Sequence, residues 1–389
     1  MAKIPLLLLF LGHVWVDCSQ GIFPVVAVKL KDLFELSYFQ VGLMMMVLNI
    51  SSSVIQPIFG FLSDRFRTGW FVPVGVLWTA IAMGLIGWAP HYWVAVTLVG
   101  LAGLGTAAFH PRAMMAVYHV SGNRRGFGAA VFATGGNVGF AVGPMLGSLL
   151  ILGFGLHATL SLVPVGLLLF LFIIFYPGDY LRHDPTPPAA STATASVVET
   201  AIPWISLIAV CLIVTFRSWV YMSFITYLPM FFQQQGIQLK TGSLMLTVFL
   251  ACGAAAGLYG GHLSDRLGRV RVTASTLLLY PFLAAMMLLS KGIWIWVFAA
   301  ASGAALLASF SITVVMAQEL LPRHLGVASG LVLGLGFGTG GLGTALSGYL
   351  ADHIGLYATF WILAAFPLLA AAMAFLIKMP ATEPITSAR

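Results

Sequence analysis

Twelve apolar runs, each about 20 residues long and none alternating in polarity, constrain this chain more than any other feature of its sequence. As a helix, such a run covers the roughly 30 Å hydrocarbon core of a bilayer. No water reaches that core, so backbone N–H and C=O groups must pair within the protein. Only helices and closed barrels meet this condition. A barrel strand shows period-two alternation over about ten residues, which these runs lack. The expectation is therefore an all-α membrane protein of twelve transmembrane helices. Charge agrees: charged residues make up 7% of the chain, against about 25% in a soluble domain.

The predicted spans are 4–28, 39–61, 70–90, 92–117, 126–152 and 157–177, then 201–231, 242–263, 271–290, 293–320, 325–350 and 356–378. Residues 1–177 form a first half, 178–200 a polar, proline-bearing cytoplasmic linker, and 201–389 a second half. Lys3 and the following apolar stretch resemble a secretion signal. The stretch runs on past Asp17 without a small-residue cleavage site, so it is assigned to a retained first span.

Orientation follows from the basic residues. With the N-terminus cytoplasmic, twelve fall inside: Lys3, Arg65, Arg67, Arg124, Arg125, Arg182, Arg266, Arg269, Arg271, Arg323, Lys378 and Arg389. Four fall outside: Lys29, Lys31, Lys240 and Lys291. Both termini are thus expected in the cytoplasm. The net charge of +7 is spread singly or in small groups over span ends, which does not suit nucleic acid. Cys18, Cys211 and Cys252 lie in apolar runs without ligand spacing and are expected to be packing residues.

The chain repeats itself. Gly60-Phe-Leu-Ser-Asp64-Arg65 recurs as Gly261-His-Leu-Ser-Asp265-Arg266 at an offset of 201 residues, and Phe109 maps onto Phe310. Gly126, Gly136 and Gly143 recur as Gly326, Gly336 and Gly343 at an offset of 200. Six spans per copy implies two pseudo-symmetric six-helix bundles with a midplane site between them. A carboxylate at a helix end beside an arginine can latch one conformation. Gly60, Asp64, Arg65, Gly261, Asp265 and Arg266 are assigned that role, with Glu319 near the same end of span ten. The other reading is a plain turn bearing positive-inside charge. Span five carries Gly139-x-x-x-Gly143-Pro144-x-x-Gly147, a small-residue face for close helix packing with a proline kink.

Charge inside the spans points to function. His13 and Asp17 are one turn apart and share a helix face. Position 17 maps onto Ser218, beside Arg217, so Asp17 and Arg217 are expected to face each other across a central cavity. Asp17, His13 and Arg217 are accordingly assigned to proton coupling; the bland alternative is a structural buried pair. His110 is either a titrating or substrate-contacting group or a satisfied kink histidine before Pro111. Arg112 is either an anion contact or a snorkelling side chain. With these two, Trp15, Asn49, Gln56, Asn137, Trp219 and Tyr221 complete the candidate cavity lining; each can also be packing. No metalloprotease, phosphate-loop, nucleotide or hydrolase motif occurs. No enzyme activity, cofactor or metal is expected, and transport without an ATP site must draw on an ion gradient or run downhill.

The Gly-x-x-x-Asp-Arg loops resemble the signature of the major facilitator superfamily. The second copy is the fuller, with Gly268, Arg269 and Arg271. The span-five glycines resemble the antiporter motif of that superfamily, with Ser148 and Ala130 at two of its glycine positions. A resemblance over nearly the whole chain is to the fosmidomycin-resistance family. It rests on His13-x-x-x-Asp17, Gln56-Pro57-x-x-Gly60, Phe109-His110-Pro111, Arg217-Ser-Trp219-Val-Tyr221 and Ala317-Gln-Glu319-Leu-Leu-Pro322. Many members carry an acidic residue where this chain has Arg112. The resemblance implies a bacterial drug exporter that exchanges its drug for protons. Arg112 and Arg217, if both line the cavity, suit an anionic or zwitterionic compound such as a phosphonate, and a monomer in the bacterial cytoplasmic membrane is expected. An uptake symporter of a small organic acid, or a non-transporting receptor or scaffold, are the alternatives.

Overall fold

The computed structural model describes residues 1–66, 68–176, 180–181, 203–322 and 324–379. Apart from Tyr180 and Leu181, the expected linker lies outside the described residues. Among the described residues twelve helical spans are present, as expected. Spans one to six are Lys3–Phe34, Tyr38–Ser63, Phe71–Trp88, Tyr92–Val120, Arg125–Phe154 and Leu156–Phe175. Spans seven to twelve are Trp204–Gln234, Leu239–Leu267, Arg269–Leu289, Ile293–Leu320, Val327–Ile354 and Leu356–Ala374.

Two local departures bear on the site. Span one continues six residues past its expected end. Lys29, Lys31 and Asp32 are charged but stay helical, and the helix closes only where Glu35 takes a left-handed conformation at φ 52°. Span two is interrupted by a π-helical turn at Ile50–Val54, a run of three serines between apolar residues. Such turns shift the helical register and recur at functional sites.

Packing repeats across the chain. Span one lies along span five, and span three along spans four and six. Span seven lies along span eleven, and span nine along spans ten and twelve. Glycine makes the first contact possible. A Cβ on Gly139 would meet the main chain of Val14, and one on Gly143 the main chain of Gly21. Gly147 faces Ile22 across a similarly short gap. Backbones this close gain dispersion that lipid tails cannot supply.

The two groups of spans meet where span two lies on span eleven and span five on span eight. The span two–span eleven contact is tight at the end remote from the termini. There Tyr227 Oη lies 2.9 Å from the carbonyl of Tyr38 and 3.0 Å from that of Thr344. Contact runs on to Gly338, whose absent Cβ would stand 3.6 Å from Val54. Gly334 and Gly330, one and two turns nearer the termini, face nothing within 4 Å. Along this seam the two groups of spans are therefore in contact at the far end and parted at the end bearing the termini.

Candidate functional site

Span one brings His13 and Asp17 to one face, and span four adds His110. His13 Nε2 lies 3.3 Å from Asp17 Oδ2, and His110 Nε2 lies 3.4 Å from Asp17 Oδ1. The two Nε2 atoms are 3.0 Å apart. Each imidazole is anchored through its other nitrogen: His13 Nδ1 to the carbonyl of Phe132 at 2.7 Å, His110 Nδ1 to that of Thr106 at 2.9 Å. A carbonyl only accepts, so both Nδ1 atoms carry hydrogen and both Nε2 atoms turn toward the carboxylate.

The surroundings fix this arrangement. The Phe132 ring stacks on His13 with centroids 4.1 Å apart. Gly136 leaves the space that His13 Nε2 and Asp17 Oδ2 occupy; a Cβ there would collide with both. Gln20, one turn beyond Asp17, donates to Thr106 Oγ1 and ties span one to span four. Pro111 follows His110 within an unbroken helix, with Gly60 of span two against it. Asp17 and His110 keep 18% and 22% of their side chains exposed, whereas His13 is buried.

The second group of spans carries the equivalent pocket with Ser218 and Val214 in place of Asp17 and His13. A Cβ on Gly336 would meet Ser218 and Val214, the counterparts of Asp17 and His13 at the 201-residue offset. The space holds a cavity bordered by Arg217, Ser218, Tyr221, Phe310, Val332 and Gly336. Arg217 is 1% exposed, donates to Thr313 Oγ1 at 3.1 Å and sits over the Phe310 ring at 4.9 Å.

This corrects the expected pair. Arg217 does not face Asp17: its hydrogen bond goes to span ten, and Asp17 is held by the two histidines. Arg217 is one residue off the position equivalent to Asp17, and one residue turns a side chain by about 100° around a helix. It therefore points into its own group of spans. Tyr221, one turn on, borders the same cavity.

Other candidate lining residues divide. Arg112 is 3% exposed, and its guanidinium reaches the span end, where it donates to the carbonyl of Leu181 beyond span six. Trp15 packs beside Gly166 of span six, away from Asp17. Trp219 donates to Ser347 and packs edge-on to Phe366, again inside a bundle. Asn49 is buried where span two meets Gly341 of span eleven, its amide donating to the carbonyl of Met45. Gln56 is half-buried just past the π turn, and Asn137 is exposed.

At the end bearing the termini, Arg269 joins what the sequence left apart. Its guanidinium contacts Glu319 Oε1 at 2.7 Å, Asp265 Oδ1 at 3.0 Å and Ser264 Oγ at 3.3 Å. Arg266 is exposed, and Gly261 stands by Ser311. In the first copy Arg65 is exposed near Phe61, and the side chain of Asp64 lies outside the described residues. The network joins spans eight, nine and ten, all on one side of the parted seam.

Known proteins resemble this chain in sequence or in shape. The fosmidomycin resistance protein of Escherichia coli (strain K12) is 29% identical over 373 residues, covering 94% of this chain and 91% of that protein. The uncharacterized MFS-type transporter YfnC of Bacillus subtilis (strain 168) is 30% identical over 381 residues, covering 96% and 92%. Among solved structures, a bacterial homologue of the human lysosomal transporter Spinster, in an inward-facing and occupied conformation, superposes with a TM-score of 0.81 at 17% identity. It covers 96% of each chain. A D-xylose-proton symporter superposes with a TM-score of 0.79 at 14% identity, covering 97% and 99%. The family model of the Major Facilitator Superfamily matches residues 9–245 and 210–389, and with twelve spans in repeated packing the chain belongs to that superfamily of membrane transporters.

Proposed function

We propose that this chain is a proton-coupled secondary transporter that exports a small drug-like or anionic organic compound by alternating access. The carrying observation is the convergence of His13, Asp17 and His110 from spans one and four. Three acceptor atoms this close require a shared cation, and a proton is the smallest that serves. Asp17 then carries the coupling with the two histidines. Arg217, which borders a cavity beside Tyr221 and Phe310, receives the anionic end of the substrate in this reading.

Several features support the direction. The positive-inside distribution sets the termini, and with them the parted seam, on the cytoplasmic side of a bacterial inner membrane. A cytoplasmic compound can then enter between the two groups of spans. The resistance protein named among the relatives agrees with export of a drug. The six-span groups 1–177 and 201–389 act as the moving units, with Asp265, Arg269 and Glu319 setting the latch on one of them. The chain works as a monomer.

Reconstitution tests this. In proteoliposomes with an imposed proton gradient, wild type drives uphill movement of its compound and Asp17→Asn gives only downhill exchange. Gradient-driven transport by Asp17→Asn at the wild-type rate overturns the coupling assignment. Proton movement in the same direction as the compound turns the reading to an uptake symporter.

A further inference from the structure

We propose that His13, Asp17 and His110 form a three-ligand site for a divalent transition-metal ion of the zinc class, which takes the place of the coupling proton. The proposal uses the same cluster as the transport reading but rests on donor geometry alone. Their donor atoms all lie within 4.8 Å of one another, although 97 residues separate the two histidines.

The spacing suits a small tetrahedral ion. Imidazole nitrogen and carboxylate oxygen bind zinc at about 2.0–2.1 Å, which sets adjacent ligand atoms about 3.3 Å apart. The two Nε2 atoms are 3.0 Å apart, and each meets its own oxygen of the Asp17 carboxylate, His13 Nε2 at 3.3 Å from Oδ2 and His110 Nε2 at 3.4 Å from Oδ1. Each histidine presents Nε2 while Nδ1–H donates to a main-chain carbonyl. That outer hydrogen bond is how metal-binding histidines are held in one tautomer and orientation.

Charge and donor type narrow the ion. Two neutral imidazoles and one carboxylate bring a single negative charge, leaving a divalent ion net positive. Two nitrogen donors select a borderline ion such as Zn2+, Co2+ or Ni2+ over Mg2+ or Ca2+, which take oxygen. Asp17 and His110 keep an exposed side, so a fourth coordination position stays open. Gly136 admits the ion where any side chain would block it. A bound ion would hold spans one and four together and exclude the proton.

Co2+ tests the site, since tetrahedral Co2+ gives visible d–d absorption. The full chain, purified in detergent without a histidine tag, is titrated with Co2+ and then with Zn2+. The expected result is one Co2+ band per chain, displaced by Zn2+. Asp17→Asn and His110→Gln each weaken it by about tenfold or more, the scale reached on disturbing even the outer shell of a metal site. His110→Cys retains binding and adds thiolate-to-metal charge transfer, a signature that a purely structural residue cannot give. Absence of the band in wild type overturns the proposal, as does a band that survives unchanged in Asp17→Asn and His110→Gln. If His110→Gln does not fold, absence of charge transfer in folded His110→Cys overturns it. Co2+ binding with uphill transport intact in Asp17→Asn leaves this site standing and removes the coupling reading. The reverse pattern removes only the metal.

Discussion

The carboxylate of Asp352, in the last turn of span eleven, accepts hydrogen bonds from the main-chain N–H groups of Tyr38 at 2.7 Å and Phe39 at 2.9 Å. These are the first two residues of span two. Ser37 takes the N–H of Gln40 in a capping box, so the orphan donors of this helix start are shared between its own cap and a side chain from the other group of spans. Any opening of the far end must break the Asp352 contacts. Asp352→Ala removes them, and a lost cap costs about 1 kcal/mol. The far-end-open population should rise about fivefold. Spin labels at Leu33 and Gln235, in a background without Cys18, Cys211 and Cys252, should show the longer distance gaining weight. An unchanged distribution would mean that Asp352 does not hold the seal.

The glycine beneath the histidine–carboxylate cluster gives a sharper test of its shape. A methyl at Gly136 meets the tips of both His13 and Asp17, whereas Gly153 in the same span faces nothing within 4 Å. Overpacking of this kind costs about 1–3 kcal/mol. In an open helical position, alanine for glycine gains up to about 1 kcal/mol. Gly136→Ala should lower the melting temperature and abolish gradient-driven transport, while Gly153→Ala should leave transport intact and melt no lower. Equal behaviour of the two would mean that the cluster has slack.

These two glycines also show what the sequence could and could not disclose. The spans were legible because a bilayer leaves an apolar run of about 20 residues little choice but a helix. The repeat was legible because Asp64-Arg65 and Asp265-Arg266 are literal copies. The His13–Asp17 face followed from helical spacing. His110 as their third partner did not, since span four reaches Asp17 only through tertiary packing. The Asp17–Arg217 pair failed because an offset of 201 placed Ser218, not Arg217, at the matching position. The π turn at Ile50–Val54 has no periodicity of its own to betray it.

Within the latch loop, the geometry separates two arginines that the motif alone does not rank. Arg269 contacts both Glu319 and Asp265, while Arg266 is exposed. Removing Arg269 strands two carboxylates, one of them half-buried, and should cost about 1–3 kcal/mol. Removing an exposed arginine away from such a network should cost no more than about 0.5 kcal/mol. Thermal unfolding in detergent of Arg269→Ala and Arg266→Ala compares them directly. A larger loss for Arg266→Ala would overturn the ranking.

Arg217 gives the last test, because its pocket holds a cation and no carboxylate within ion-pair reach among the described residues. Its guanidinium donates to a hydroxyl, Thr313 Oγ1 at 3.1 Å, and lies over the face of Phe310. A hydroxyl satisfies one of five guanidinium donors, so an anion entering the cavity beside Tyr221 finds donors still to spare. Arginine binds carboxylate and phosphonate through two parallel hydrogen bonds, which lysine cannot match in shape. Arg217→Lys should therefore weaken an anionic ligand by about tenfold and Arg217→Ala by more, since hydrogen bonds to charged groups contribute about 1.5–3 kcal/mol each. A neutral ligand of similar size should be affected little. Calorimetric titration with a phosphonate and its neutral ester separates the two cases. Equal losses for both ligands would show that Arg217 acts through packing on Phe310 rather than through its charge.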